Sequence, residues 1–281
     1  MILVTGATGT VGSLVVERLL AQGVRPCAFV RDAAKARARF GDGVDIAIGD
    51  LTDATSLANA CRGAERILLI NAGPELASRD ALAAATASAA GVAHIVKLST
   101  ADAEHGVGTG PWHARGEEAI RDSGVGFTFV RPAGFMDNVL AWVPAVKAGA
   151  AVRSSTGEGR IPFIHSRDIA DVVAAALTSP EHDGATLTIT GPVALSYGQM
   201  ATMLGEALGR AIPFLPISEE EDRARWTSWG ETQESVDYHM SIFRAIREGR
   251  LAEVTATVPR VLGRPATSFD EWVREHVVAF R

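Results

Sequence analysis

The residues most clearly able to do chemistry are three glycines near the start of the chain. Gly6, Gly9 and Gly12 follow the apolar segment Ile2–Thr5, and helix-forming sequence comes directly after them. A strand, a glycine turn and a helix start form a phosphate cradle, because backbone N–H groups and the helix dipole point at the anion. The first glycine permits a tight turn, the second lets a pyrophosphate approach, and the third lets the helix lie on the sheet. This context predicts a dinucleotide site, and the alternative is an ordinary strand–helix turn.

A second candidate is the pair His113 and Glu117, which are spaced i, i+4 and so share one face of a helix. One interpretation is a surface pair that stabilises the helix by a few tenths of a kcal/mol. The other places the imidazole near a substrate, oriented by Glu117, which would raise its pKa by favouring the charged form. A protonated imidazole could then pass a proton to a product near neutral pH.

The sequence contains no pattern for a metal site or for a nucleophile elbow. Of the seven histidines, none has the spacing of a metal-ligand set, and Cys27 and Cys61 have no C-x-x-C partner. Both cysteines fall inside predicted elements, so we expect small buried thiols and a reducing, cytoplasmic environment. We therefore predict no metal.

Composition and charge narrow the class of protein. The chain has 281 residues, 47% of them hydrophobic and 21% charged, as in an ordinary globular protein. The net charge of −6 and the lack of a Lys/Arg run argue against nucleic acid as a partner. No apolar run reaches the length of about 20 residues that a membrane helix needs, so we expect no membrane partner. We expect a small-molecule substrate, and a homodimer is compatible with these features.

Short apolar strands alternate with helical stretches from Met1 to about Arg131. The predicted strands are Ile2–Thr5, Arg25–Val30, Asp45–Ile48, Arg66–Asn71, His94–Leu98 and Phe127–Arg131. The predicted helices between them are Val11–Ala21, Ala33–Arg39, Ser56–Cys61, Leu76–Ala90 and Pro111–Asp122. This alternation predicts an α/β fold with a doubly wound parallel sheet, in which ligands bind at the carboxyl ends of the strands. We expect a dinucleotide-binding core over residues 1–135, and over 136–281 a mixed segment that completes the sheet edge and forms a smaller substrate lobe.

The residue that leaves the second strand bears on the choice of cofactor. An acid is expected there for NAD, to hold the ribose hydroxyls. The chain has Arg31 instead, and an arginine with Lys35 nearby suits the 2′-phosphate of NADP(H). The alternative is a solvated charge, with Asp32 capping the next helix. We predict NADP(H) as the cofactor.

The glycine stretch resembles the atypical short-chain dehydrogenase/reductases, in particular the NmrA-like and NAD(P)H:quinone oxidoreductase-like group. Residues 5–12 match T-G-A-T-G-x-x-G, residues 113–117 match H-x-x-x-E, and residues 131–138 are similar to R-P-x-x-F-M-x-N. The resemblance covers most of the chain except about residues 215–260. It implies a Rossmann fold. Together with Arg31 and Lys35 from the argument above, the predicted cofactor-binding residues are Gly6, Ala7, Thr8, Gly9, Thr10, Val11, Arg31, Lys35, Asp50, Leu51, Asn71, Ala72, Gly73, Ser99, Pro132 and Gly134.

Several of these positions have structural alternatives. The resemblance places Asp50 beside the adenine, whereas Asp50 could also simply form a turn before the next helix. Asn71 could brace neighbouring strands, and Ser99 or Thr100 would face the nicotinamide end. Phe135 and Met136 would form an apolar wall for the substrate, or be core residues. Trp226 and Trp229 lie in a segment that is either a cap over the substrate or a set of packing helices.

The conventional catalytic tyrosine is missing from its place. Aligned on Glu117, that position holds Thr109 and the lysine position holds His113. An isolated ketone needs a strong proton donor, but a quinone or conjugated enone accepts hydride to give a less basic oxyanion. We therefore predict an NADPH-dependent oxidoreductase acting on such acceptors, with His113, Ser99, Thr100 and Asn138 as candidates to hold the carbonyl. The alternative is an NADP(H)-sensing regulatory protein without turnover. A nucleotide-sugar epimerase is disfavoured by the absent Y-x-x-x-K.

Overall fold

The computed structural model describes the whole chain, from Met1 to Arg281. The strands are β1 Ile2–Thr5, β2 Cys27–Val30, β3 Asp45–Ile48, β4 Arg66–Leu69, β5 His94–Leu98, β6 Gly126–Pro132, β7 Val152–Ser154, β8 Arg160–Ile161, β9 Thr186–Ile189, β10 Leu195–Ser196 and β11 Phe214–Pro216. The helices are α1 Thr10–Ala21, α2 Ala33–Phe40, α3 Ala54–Cys61, α4 Leu76–Ala89, α5 Asp102–His105, α6 Gly110–Asp122, α7 Val143–Lys147, α8 Ser166–Thr178, α9 Tyr197–Leu208, α10 Glu219–Ser228, α11 Gln233–Arg247, α12 Thr257–Leu262 and α13 Phe269–His276. Short 3₁₀ segments span Gly41–Gly43, Met136–Trp142, Pro180–His182 and Val277–Phe280.

The predicted α/β fold with a doubly wound sheet is confirmed. Seven strands lie in the order β3-β2-β1-β4-β5-β6-β9, and the five pairings from β3 to β6 are parallel. Helices α3, α4 and α6 pack on one face through residues such as Leu57, Ala84 and Ile120. Helix α8 contacts β4, β5 and β6 and packs against α1. The strand order reverses between β1 and β4, which is where a doubly wound sheet binds its ligand.

The chain divides into two compact units whose segments alternate along the sequence. The first unit comprises residues 1–103, 111–132 and 166–188, and the second comprises 104–110, 133–165 and 189–281. The predicted division after residue 135 lies close to the end of the middle segment of the first unit. Residues 166–188, which contain α8, nevertheless belong to that first unit.

The second unit has its own hydrophobic core around Trp272, which is fully buried. Two small sheets pair β7 with β11 in parallel and β8 with β10 antiparallel. Helix α9 begins with a capping box at Ser196 and Gln199. No helix anywhere in the fold combines the length and the apolar character that crossing a membrane requires.

Candidate active site

The glycine turn between β1 and α1 has the geometry of an anion cradle. Gly6 has a φ of +60°, and its carbonyl accepts a hydrogen bond from Gly9 N–H at 2.9 Å. A Cβ on Gly12 would lie 2.1 Å from the Gly6 oxygen, so only glycine lets α1 approach the turn this closely. Gly9 caps α1 without a side-chain hydrogen bond, and the first turn of the helix has no acid. The N–H groups of that turn are therefore suited to a phosphate.

Thr5 fixes this turn to the neighbouring strand, a role that was not predicted from the sequence. Its hydroxyl accepts from Ile70 N–H at 2.8 Å and donates to the Ile70 carbonyl at 3.2 Å. The hydroxyl thus extends the ladder between β1 and β4 by one step, at the point where the strands separate. The feature of the sequence that could have indicated this role is a threonine directly before the first glycine.

A cleft of about 330 Å³ opens at the carboxyl ends of β1 to β4. Its lining includes eight of the predicted cofactor residues: Gly6, Ala7, Thr8, Arg31, Asp50, Leu51, Asn71 and Ala72. It also includes residues that were not predicted: Thr5, Phe29, Val30, Gly49, Ile70 and Arg79. Of the other predicted residues, Val11 is buried, so its side chain packs in the core and only its backbone is suited to the turn.

Arg31 is an exposed cation at the rim of the cleft, and its binding of a phosphate stays a prediction. The Arg31 side chain is 85% exposed, and its Nε lies 3.9 Å from Asp50 Oδ2. Asp32 caps α2 by accepting from Ala34 N–H at 2.8 Å and Lys35 N–H at 3.1 Å, as the alternative interpretation held. Asp32 is therefore engaged in a helix cap, and Asp50 is the acid that lies beside Arg31. Lys35 is exposed in the first turn of the same helix.

Asp50 forms the predicted turn after β3. Its Oδ1 accepts from Thr52 N–H at 2.9 Å and from Thr52 Oγ1–H at 2.8 Å. These hydrogen bonds lower the pKa of Asp50, with smaller contributions from the charges of Arg31 and Arg79. The carboxylate is thus ionised and oriented, as an acceptor for an amino group must be. Its contact with the adenine stays a prediction.

Asn71 braces the start of α4, whereas we expected it to brace neighbouring strands. Its Nδ2 donates to the Leu76 carbonyl at 3.0 Å and to Asp80 Oδ1 at 3.3 Å. Gly73 follows in the same turn, where its carbonyl accepts from Leu76 N–H at 3.0 Å. Arg79 reaches back from α4 to the Ala72 carbonyl at 3.1 Å, and its buried Nε has no partner in the protein. Arg79 therefore adds a second cation to the cleft.

Two buried ion pairs lie beneath the ends of β5 and β6. Lys97 of β5 pairs with Asp80 of α4, and both side chains are fully buried. Glu117 of α6 is also fully buried and accepts from Arg131 Nε at 2.9 Å and Arg131 Nη2 at 2.6 Å. Ser99 donates its hydroxyl proton to Glu117 Oε1 at 2.6 Å. The Ser99 hydroxyl proton is therefore engaged with Glu117, and a contact of Ser99 with the substrate carbonyl or the cofactor stays a prediction.

His113 is not the surface residue of an exposed pair, and its pKa moves opposite to our prediction. It is 9% exposed, and its buried Nδ1 has no partner in the protein. Burial, together with the nearby charges of Lys97 and Arg131, lowers the pKa of His113 to about 3. Glu117 cannot raise it, because Arg131 and Ser99 already hold that carboxylate. His113 is thus a neutral imidazole at physiological pH. It is not the protonated imidazolium that could pass a proton to a product.

Because His113 is buried in its neutral form, the free energy of unfolding should fall as the pH is lowered. We expect His113 to make the largest contribution to this fall. The unfolded state binds the proton below the ordinary value of 6.5, and the folded state does so only below about 3. Stability contributed by His113 is therefore present above pH 6.5 and lost as the pH falls, by about 2 kcal/mol at pH 5. We expect His113→Gln to remove that part of the loss, measured by urea unfolding at pH 5 and pH 7. An unchanged difference between the two pH values would show that the imidazole titrates normally.

The remaining predicted residues in and around β6 differ in burial and in the contacts they make. The Pro132 carbonyl accepts from Ala101 N–H at 2.9 Å, and Thr100 Oγ1 accepts from Asp102 N–H at 3.3 Å. In the second unit, a Cβ on Gly134 would lie 2.8 Å from the Phe163 ring, so packing already requires this glycine. Met136 is 1% exposed inside the core, which favours the core interpretation. Phe135 is half-buried and Asn138 is exposed.

Trp226 and Trp229 belong to an aromatic group on α10 and α11 in the second unit. The ring centroids of the two tryptophans are 5.8 Å apart, and Trp226 lies 4.0 Å from the His239 ring. Trp229 is 64% exposed, with the Arg225 guanidinium 5.0 Å from its ring centre. That Trp226 and Trp229 contact the substrate remains a prediction.

Comparison with known proteins identifies the family. A family described as NAD(P)H-binding matches residues 6–180. The chain is 37% identical to an NAD(P)H azoreductase of Xenophilus azovorans, over 100% of this chain and 99% of the relative. It is 36% identical to a (4-alkanoyl-5-oxo-2,5-dihydrofuran-3-yl)methyl phosphate reductase of Streptomyces griseus, with the same coverage.

Solved structures agree with this result. The NADPH complex of quinone oxidoreductase 2 from Escherichia coli is similar with a TM-score of 0.91 and 28% identity, over 98% of this chain and 99% of that one. The NADP(H) complex of triphenylmethane reductase from a Citrobacter species has a TM-score of 0.88 and 26% identity, with the same coverage. The resemblance drawn from the glycine motif is confirmed: the chain belongs to the NAD(P)H-binding family, among the atypical short-chain dehydrogenase/reductases.

Proposed function

We propose that the protein transfers a hydride from NADPH to a quinone or a conjugated enone. The observation that carries this proposal is the neutral, buried His113 where conventional relatives use a tyrosine and a lysine for acid catalysis. Both tyrosines of the chain, Tyr197 and Tyr238, lie in the second unit, far along the sequence. Burial and the Asp222 carboxylate also raise the pKa of Tyr197, which makes its phenol a poorer acid. The relatives described above are reductases and support the same reaction class.

The residues of the cleft fit a dinucleotide phosphate. The first turn of α1 offers N–H groups to the pyrophosphate, and Arg31 and Arg79 offer cationic donors at the rim. Bound NADPH supplies the hydride. Because the Ser99 oxygen is an acceptor, it is suited to an N–H or O–H group of the cofactor, such as the carboxamide or a ribose hydroxyl.

His113 would act as a hydrogen-bond donor to the oxygen that becomes negative. A quinone that takes up a hydride carries two more electrons and one oxyanion, and a second proton completes the hydroquinone. A neutral imidazole whose Nδ1 carries the proton can stabilise this oxyanion without ionising, and solvent can supply the second proton. Delocalisation of the charge makes the oxyanion weakly basic, so a strong acid is unnecessary.

Turnover separates this proposal from the sensor alternative. NADPH should be consumed when 1,4-naphthoquinone or a conjugated enone is present and should be stable without one, followed by absorbance at the reduced nicotinamide band. Absence of turnover with a broad acceptor panel, while NADP⁺ and NADPH both bind, would favour the sensor. We further propose a cytoplasmic location, which suits the two buried free thiols Cys27 and Cys61. The homodimer stays a prediction.

The preference for NADPH over NADH should depend on Arg31. Removing a donor that binds a phosphate typically costs about 1.5–3 kcal/mol, or roughly tenfold to a hundredfold in affinity. We expect Arg31→Ala to weaken NADPH by that factor and to leave NADH unchanged, measured by calorimetric titration. Arg37→Ala is the matched control, because Arg37 is an exposed cation on the same helix that pairs with Asp42. Equal affinities for the two cofactors in the unmodified protein, or an unaltered preference in Arg31→Ala, would contradict the NADP(H) assignment.

A further inference from the structure

Arg79 lines the cofactor cleft, and the protein uses only one end of its guanidinium. The residue lies in the first turn of α4, and its Nη1 donates to the Ala72 carbonyl at 3.1 Å. Its Nε is buried without a hydrogen-bond partner, and no carboxylate forms an ion pair with the guanidinium. Native proteins leave few buried donors unpaired, so this edge of the guanidinium calls for a partner from the cleft.

The surroundings hold Arg79 in place before any ligand binds. Asn71 closes the turn after β4, because its Oδ1 accepts from Ala72 N–H at 2.9 Å and its Nδ2 donates to the Leu76 carbonyl at 3.0 Å. The same Nδ2 donates to Oδ1 of the fully buried Asp80 at 3.3 Å. The Ala72 carbonyl is therefore fixed relative to α4, and the guanidinium that it anchors is oriented in advance.

The carboxylate of Asp50 lies within reach of the Arg79 charge. After the hydrogen bonds from Thr52, the charges of Arg31 and Arg79 both contribute to the lowered pKa of Asp50. Thr52 occupies Oδ1 of this carboxylate, which leaves Oδ2 with only the Arg31 Nε at 3.9 Å. The cleft thus offers an acceptor at the end of β3 and a donor from α4 in the same part of its lining.

A neutral ligand edge with a donor beside an acceptor satisfies both groups, whereas an anion does not. An anion on Arg79 would stand close to the Asp50 carboxylate, and like charges in one site disfavour each other. Adenine has the required edge, because its 6-amino group donates and the neighbouring ring nitrogen N1 accepts. Leu51 and Ile70 line the same cleft and provide apolar surface for a flat ring.

We propose that Arg79 is a specificity-determining residue for the adenine of the cofactor, donating through its free guanidinium edge to N1. Asp50, already predicted beside the adenine, accepts from the neighbouring 6-amino group. Arg31 keeps the 2′-phosphate, so the two arginines recognise different parts of the adenosine half. The proposal concerns the binding of the cofactor and does not depend on the compound that receives the hydride.

Calorimetric titration of Arg79→Met with both cofactors tests this assignment. The variant should bind NADPH and NADH more weakly by the same factor, roughly tenfold for one charged hydrogen bond, because both contain adenine. Arg62→Met is the matched control, since Arg62 is an exposed cation outside the cleft that donates to Asn59 Oδ1 at 2.6 Å; it should leave both affinities unchanged. A loss confined to NADPH would assign Arg79 to the 2′-phosphate, and unchanged affinities would leave water as its partner. Either result overturns the proposal.

The reduced hypoxanthine analogue of NADPH provides a second test, which begins with the unmodified protein. Hypoxanthine has a carbonyl acceptor in place of the 6-amino group and carries a hydrogen on N1, so it reverses both hydrogen bonds. The unmodified protein should bind this analogue roughly tenfold more weakly than NADPH, because buried polar groups are then left unpaired. Arg79→Met should narrow that difference, since the donor that meets N1 is gone. Equal affinities in the unmodified protein, or a difference that stays the same in Arg79→Met, would contradict the proposal whether or not the protein turns over.

Discussion

Replacing His113 by alanine is expected to lower kcat for quinone reduction roughly 100-fold, the usual cost of losing one donor to a developing oxyanion. The dissociation constant of NADPH should change by less than about twofold, because the oxyanion donor acts on the acceptor and not on the ground-state cofactor. The structural basis is a 9% exposed imidazole with an unpaired Nδ1, whose pKa is lowered by burial and by the nearby charges of Lys97 and Arg131. Steady-state kinetics with 1,4-naphthoquinone, together with calorimetric titration of NADPH, would measure both quantities.

The pH profile distinguishes this role from a merely structural one. Because the pKa of His113 is about 3, kcat of the unmodified protein should show no step from this group between pH 5 and pH 8. His113→Gln, which offers a neutral amide donor, should recover part of the lost rate. Tyr197→Phe and Tyr238→Phe are controls that should stay close to full activity. Full activity of His113→Ala, or an inactive Tyr197→Phe, would remove His113 from the mechanism.

The second large effect concerns stability. Lys97→Met leaves the fully buried Asp80 carboxylate without its cation, and removing one partner of such a pair typically costs about 3–5 kcal/mol. The double variant Asp80→Asn, Lys97→Met should recover most of that loss, because no buried charge is left unpaired. Urea unfolding followed by circular dichroism would give the free energies.

Arg39→Met provides the matched control for this effect. Arg39 pairs with Glu17 at 3.1 Å, and both side chains are about half exposed, so breaking the pair should cost less than about 1 kcal/mol. If Lys97→Met and Arg39→Met cost the same, the pair of Lys97 and Asp80 contributes no more than a surface pair.

The fold was largely predictable because the strands are apolar runs with clear ends. Strands Ile2–Thr5, Asp45–Ile48 and His94–Leu98 match the structure at both ends. The second strand begins at Cys27 and not at the predicted Arg25, since Pro26 lacks the N–H that a strand residue donates. The fourth ends at Leu69, because the Ile70 N–H turns to the Thr5 hydroxyl.

The candidate site was predictable where a local motif defines it and not where helix packing does. The glycine turn, Arg31 and Asp50 follow directly from strand ends in the sequence. Arg79 and Asp80 come from α4, and their partners are fixed only when that helix packs on the sheet. The pKa of His113 was predicted with the wrong sign because the side chain is buried beside the charges of Lys97 and Arg131, and because Arg131, 14 residues after Glu117, pairs with that carboxylate.

The alternation of the two units along the chain affects how the protein is made. The polypeptide passes from one unit to the other after residues 103, 110, 132, 165 and 188. Strand β9, the neighbour of β6 in the main sheet, spans Thr186–Ile189 and so leaves the ribosome long after β6. Until then the nascent sheet has an open edge at β6, the kind of edge that invites pairing with other chains. Synthesis of the dinucleotide-binding unit is therefore complete only when residue 188 has been translated, after two segments of the second unit.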